Sequence, residues 1–199
     1  MEYPDDSNTY GCTGFLVNED TVITAGHCVH NSSRGGWAEN IDASLGRNGT
    51  SAPYGTYQNK TLYSVKGWTE KGKPEYDYGA IKLNGSPGDN AGWFGYRTTN
   101  SDDLNPVDKS ATVSGYPSDK KTFTMWKDTD KINQALEHLL LYQIDTNNGQ
   151  SGAPTYKNYS DTGQTSIAIH TGSLASAPNN KGARITLDVF DNIDNWKGK

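Results

Sequence analysis

Three polar residues sit in settings that suit attack on a carbonyl carbon. Ser151 lies in "GQSGAP" (149–154), His27 in "TVITAGHCV" (21–29) and Asp77 in "YDYGAIKL" (76–83). A serine hydroxyl becomes a nucleophile when a base takes its proton, a carboxylate orients that base, and backbone N–H groups face the developing oxyanion. Gly149 and Gly152 allow a tight turn around Ser151 and bring N–H groups close to a reacting carbonyl. His27 follows an apolar run that ends in small residues, which puts an imidazole at a strand end. Asp77 directly precedes another apolar run, where a half-buried carboxylate can meet that imidazole. A serine between glycines is a weak signal alone, and an isolated histidine or turn aspartate is more often structural. The order His, Asp, Ser in these three contexts is specific.

Other residues bear on what would be attacked. Asp145, six positions before Ser151, could line a pocket and select a basic side chain. His170, in "IAIHTGS" (167–173), is the opposite candidate, a group able to meet an acidic side chain. Cys12 and Cys28 stand 16 positions apart. On residues alone they are two free thiols or a disulfide, and closing that loop would contribute about 3 kcal/mol in the chain-entropy model. The 4 histidines are scattered, so no zinc-ligand set is legible. Neither a metal nor a cofactor is expected.

The elements that must position these groups read as mostly β. Short apolar or alternating runs recur at 14–17, 21–25, 62–65, 79–83, 111–114, 139–144, 165–170 and 183–187, separated by Gly, Asn, Ser and Pro clusters. "NGSPGDN" (84–90) is the best linker and splits the chain into two β-rich halves. The stretch around His138 could be helical, but Leu140, Tyr142 and Ile144 alternate and favour a strand. At the C-terminus Val189, Ile193 and Trp196 fall on one face of a helix, with Asp188 and Lys197 placed to suit its dipole.

The 199 residues are enough for one large domain or two small ones packed together. Only 33% are hydrophobic, but 12 Tyr, 5 Trp and 4 Phe can fill a core with aromatic bodies. A net charge of −5 with no basic stripe argues against a nucleic-acid partner. No run of 18 apolar residues is present, so no membrane span is expected.

"TAGHC", "YDYGAIKL" and "GQSGAP" resemble the chymotrypsin-like serine proteases, and in particular the bacterial glutamyl endopeptidases. "GRNGTSAPYG" (46–55), "GWFGYR" (92–97), "SGYPSDK" (114–120), "IAIHTG" (167–172) and "TLDVFDNIDNWK" (186–197) extend the likeness from about Cys12 to the C-terminus. The resemblance implies an all-β fold of two antiparallel β-barrels, 1–88 carrying His27 and Asp77 and 89–186 carrying Ser151, followed by a C-terminal helix (187–199). It implies a catalytic triad of His27, Asp77 and Ser151, and an oxyanion hole from the N–H groups of Gly149 and Ser151. It also favours pairing Cys12 with Cys28, hence an oxidising, extracellular setting.

The same resemblance implies a secreted, monomeric endopeptidase acting on protein and peptide substrates. Cleavage would follow Glu, less readily Asp. Thr146 and His170 would meet the P1 carboxylate, His170 as an imidazolium. Thr171, Gly172 and Ser173 would pair with the substrate backbone. Asp145 must then point away, be paired or be protonated, because two carboxylates in a dry pocket repel. Two alternatives stand beside this: a trypsin-like preference for Arg or Lys through Asp145, and a catalytically impaired, truncated homologue. The second arises because only 11 residues precede Cys12 and hold no strand pattern, so the first barrel is expected to lack its N-terminal strand.

Overall fold

Most of the apolar runs become strands that pair with sequence-distant partners. The computed structural model describes residues 1–99, 109–174 and 179–199. The first half contains β1 (Phe15–Leu16), β2 (Thr21–Thr24), the short ladder of β3 (His30–Asn31) with β4 (Gly36–Trp37), then β5 (Asp42–Ser44), β6 (Thr56–Ser64) and β7 (Gly79–Leu83). Five of these form one antiparallel sheet in the order β1-β2-β7-β6-β5. The second half contains β8 (Gly95–Tyr96), β9 (Ser110–Gly115), β10 (Trp126–Ala135), β11 (Leu139–Tyr142), β12 (Pro154–Tyr159), β13 (Gly163–Ser173) and β14 (Asn180–Arg184). Its order, β12-β9-β10-β11-β14-β13, closes on itself because β13 also pairs with β12, and β8 joins β13 in parallel. Closure removes exposed strand edges.

Side-chain alternation explains the closure. Leu140, Tyr142 and Ile144 point inward at 0% exposure, with Val113, Ile132 and Ile167 around them. Each such aliphatic side chain contributes about 1.5–3 kcal/mol on burial. The first sheet covers a separate cluster that includes Leu16, Val22, Val29, Ile81 and Leu83. A third cluster lies between the halves. It joins Phe15, Ile23 and Tyr78 of the first to Ile169 and Ile185 of the second, with Val189, Ile193 and Trp196 of the C-terminal helix (Leu187–Lys197). The three helix positions chosen from their spacing are thus the buried face.

Two long strands were not legible. β10 reads "WKDTDKINQA", and only Ile132 of it is buried, so it has no apolar alternation. β12 begins at Pro154, tolerated because a first-position proline removes no ladder bond that the strand needs. The run at 183–187 divides: Ala183 and Arg184 end β14, and Leu187 starts the helix. Residues before Cys12 add no strand to the five-stranded sheet. They pack beside it instead, with an isolated bridge from Glu2 to Asn40 and with Tyr3 buried at 3% exposure.

Candidate active site

His27 sits in a single helical turn (Gly26–Cys28) just after β2. Gly26 is required there, since a Cβ would lie 2.8 Å from the Trp68 ring. Asp77 caps the turn Pro74–Tyr76 and leads into β7, which pairs with β2. Pairing of these two strands therefore brings residues 50 positions apart into contact. The His27 backbone N–H donates to Asp77 Oδ1 at 2.8 Å, and Nδ1 lies 2.8 Å from Oδ2. Asp77 is 6% exposed, so its carboxylate is held in a low-dielectric setting against one partner. A carboxylate on Nδ1 stabilises the Nδ1–H tautomer and turns Nε2 into the proton acceptor.

Ser151 lies in a turn between β11 and β12 whose shape depends on two glycines. Gly149 and Gly152 have φ of +93° and +87°. A Cβ on Gly149 would lie 2.4 Å from Tyr116 O, and one on Gly152 2.2 Å from Thr13 O. Positive φ and close backbone approach both exclude other residues there. Thr13, beside Cys12, clamps this turn: its N–H donates to Ser151 O at 2.8 Å and its hydroxyl to Gly149 O at 2.8 Å. Gln150 closes the turn from inside, its Oε1 accepting from Asn147 N at 2.8 Å. Among the described residues the N–H groups of Gly149 and Ser151 have no protein acceptor. Two free N–H groups flanking a serine form a ready oxyanion site. The Cys28 sulfur lies 3.8 Å from Ser151 O, which places the serine turn next to the His27 turn.

Cys12 and Cys28 are joined in a disulfide. It ties the segment that clamps the serine turn to the residue following His27.

His170 stands on β13 directly behind this turn. Gly152 N–H donates to His170 O at 2.7 Å, and His170 N–H to Ala153 O at 2.9 Å. The side chain is 2% exposed. Burial, with lesser repulsion from Lys181 and His27, pushes its pKa down to about 3. This corrects the expectation of a resting imidazolium: at neutral pH His170 is a neutral hydrogen-bonding ring. Beyond it, β12 no longer pairs with β13, the last pair being Pro154 with Ile169. Among the described residues Gly172 and Ser173 pair with Lys181 and Asn180 of β14 and with no strand on the other edge, while Thr171 falls at the register shift between His170 and Gly172.

Asp145 is exposed, and its N–H donates to Asp128 Oδ2 at 2.8 Å. With Thr146 it lines a shallow cavity that also takes in Trp126, Asp128 and Gln150 but not His170. Thr146 and His170 are not hydrogen-bonded among the described residues. Reading residue types one position at a time missed Thr13, the brace of Ser151, and Lys181, whose ammonium donates to Ser173 O at 2.8 Å beside His170. A threonine next to a cysteine carries no signal of such a role, and neither does a lysine in a turn-rich stretch.

The trypsin family model matches residues 4–196. This chain belongs to that family. It is 58% identical over 196 residues to a Bacillus subtilis (strain 168) protein described as "Extracellular metalloprotease", covering 98% of this chain and 61% of that one. It is 41% identical over 196 residues to a Bacillus licheniformis glutamyl endopeptidase, covering 96% of this chain and 61% of the relative. The trypsin-family chain thus spans about three-fifths of the length of these two relatives. A solved structure of a glutamyl endopeptidase in complex with MPD superimposes with a TM-score of 0.85 at 25% identity, covering 100% of this chain and 93% of that one. The two sheets and the C-terminal helix are accordingly the chymotrypsin/trypsin-like fold.

One relative's description names a metalloprotease, and a bound metal would need a compact set of ligand atoms. Among the described residues the one His/Cys/Asp/Glu group compact enough for an ion is Cys12, His27 and Cys28. Its two sulfurs are bonded to each other and offer no thiolate, and His27 already faces Asp77. These residues do not fit a metal.

Proposed function

We propose that this trypsin-family chain is a secreted serine endopeptidase that cleaves peptide bonds through an acyl-enzyme, preferring Glu and then Asp at P1. Residues 1–88 and 89–186 are the two barrel units whose junction carries the site. The observation that supports this best is the pairing of a carboxylate-held His27 with a serine turn that leaves two N–H groups free. His27 Nε2 takes the Ser151 hydroxyl proton as Oγ bonds to the substrate carbonyl carbon. The oxyanion is held by the N–H groups of Gly149 and Ser151. Collapse breaks the C–N bond, and His27 returns its proton to the leaving amine. Water, deprotonated by His27, then frees the acid and restores Ser151.

The acidic preference rests on His170, a buried donor beside the serine turn, and on the positive charge of Lys181 near it. Asp145 is exposed, with only its backbone N–H bound to Asp128, so it offers no buried carboxylate to support the Arg/Lys alternative. The disulfide and an extracellular relative support secretion. No helix among the described residues is long and apolar enough to cross a membrane.

A panel of peptides differing only at P1 tests the preference. Cleavage after Glu is expected to dominate, and cleavage after Arg or Lys would return Asp145 to the pocket. A phosphonylating reagent should label the protein with or without chelator and should not label Ser151→Ala. Labelling of that variant, or activity abolished by chelation, would remove Ser151 from the role of nucleophile.

A further inference from the structure

His170 has two ring nitrogens with different surroundings. Nδ1 lies 2.7 Å from the Tyr142 hydroxyl, which itself lies 3.2 Å from Thr155 Oγ1. All three side chains are buried, at 2%, 0% and 0% exposure. Nε2 has no protein partner among the described residues. A neutral imidazole donates from one nitrogen and accepts at the other, and the partner of one decides the role of the other.

We propose that Tyr142 and Thr155 are positioning residues that set the tautomer of His170, so that Nε2–H points as a donor into the acidic-P1 pocket. This rests on the P1 reading above and adds what orients its key residue. The Thr155 hydroxyl donates to the Tyr142 oxygen, and the Tyr142 hydroxyl donates to His170 Nδ1. Burial holds the tyrosine far above its ordinary range, so it remains a hydroxyl donor at every working pH. In the reverse direction His170 Nδ1–H would donate to Tyr142, and Nε2 would present a lone pair to the substrate carboxylate. That arrangement repels the substrate, so the direction of the two buried hydrogen bonds linking these three side chains decides whether the pocket accepts an acid. Gly182 on β14 leaves room for the Tyr142 hydroxyl, since a Cβ there would lie 3.1 Å from it.

Two measurements test this. Nitrogen-15 spectra of the histidine rings in the Ser151→Ala protein, which cannot cleave itself, should show His170 as the Nε2–H tautomer. An Nδ1–H tautomer would overturn the proposal whatever the P1 preference proves to be. In kinetics, Tyr142→Phe should lower the ratio of kcat/KM for a Glu-P1 peptide to that for its Gln-P1 counterpart by roughly three- to tenfold, the worth of one lost hydrogen bond. Thr155→Val should shift the ratio the same way by less, and it decides the matter if Tyr142→Phe does not fold. An equal fall on both peptides would mean that Tyr142 supports only packing. Should the parent enzyme not distinguish Glu from Gln, the P1 reading fails, while the tautomer measurement still judges the relay.

Discussion

His170 illustrates how burial changes the meaning of a residue. In water an imidazole is partly charged near neutrality, and a histidine placed to meet a carboxylate suggests an ion pair. Here the residue is only 2% exposed, and its pKa is pushed down to about 3 from an ordinary 6.5. The nearby Lys181 ammonium and the His27 ring act in the same direction as burial. The consequence for stability has a definite sign. The unfolded chain takes up this proton as pH falls through 6.5, while the folded ring resists until about 3. The stability contributed by the neutral ring is complete above 6.5 and is withdrawn as the pH falls from 6.5 toward 3, by up to about 1.4 kcal/mol per pH unit. His170→Gln should therefore lose less unfolding free energy between pH 6.5 and 4 than the parent does. Equal slopes in denaturant titrations would show that the ring titrates near its ordinary value. The proposed triad residues and the two turn glycines stand out as local words, because a tight turn at positive φ must be written with glycine. The relay was not, because Tyr142 and Thr155 read as ordinary strand residues.

At the scale of elements, the C-terminal helix supports the site from a distance. Thr186 caps it by accepting from Val189 N–H. Its inner face carries Trp196, whose ring stacks on Tyr63 at 6.1 Å and lies 5.9 Å from Tyr78. Tyr78 adjoins Asp77, and Lys82 on β7 ties the first sheet to the helix end through Lys197 O at 3.1 Å. Trp196→Ala should cost about 3–5 kcal/mol, measured by chemical unfolding, and should lower turnover more than substrate binding as the Asp77 segment loosens. A loss under about 1 kcal/mol would place the helix outside the core. This helix was readable because a 3.6-residue period recurs in its own sequence. β10 was not, because a strand that buries one side chain in ten is held by its neighbours and carries little period of its own.

Over the whole molecule, the proposed site is a seam. His27 and Asp77 come from the first sheet, Ser151 and His170 from the second, and Thr13 with the Cys12–Cys28 disulfide joins them. Replacing both cysteines by serine should cost about 3 kcal/mol if loop entropy dominates. It should also slow Ser151 labelling at temperatures where the variant is still folded, because Cys12 carries the Thr13 brace and Cys28 follows His27. An unchanged melting temperature and labelling rate would show the bond to be idle. The shared core of Phe15, Ile23, Tyr78, Ile169, Ile185 and Trp196 predicts that the halves unfold together.

What the sequence determined by itself was local. Glycines stand where φ must be positive, apolar alternation marks strands that face a core, and a helical stripe marks the C-terminus. The motifs around His27, Asp77 and Ser151 could therefore be read before any fold was known. Tertiary structure decided the rest. It left Asp145 exposed, buried His170, left Gly172 and Ser173 paired on one edge among the described residues, and set Tyr142, backed by Thr155, against the His170 ring. Each of these depends on which distant strand lies alongside and how much water is excluded, and neither is encoded in the spacing of neighbouring residues.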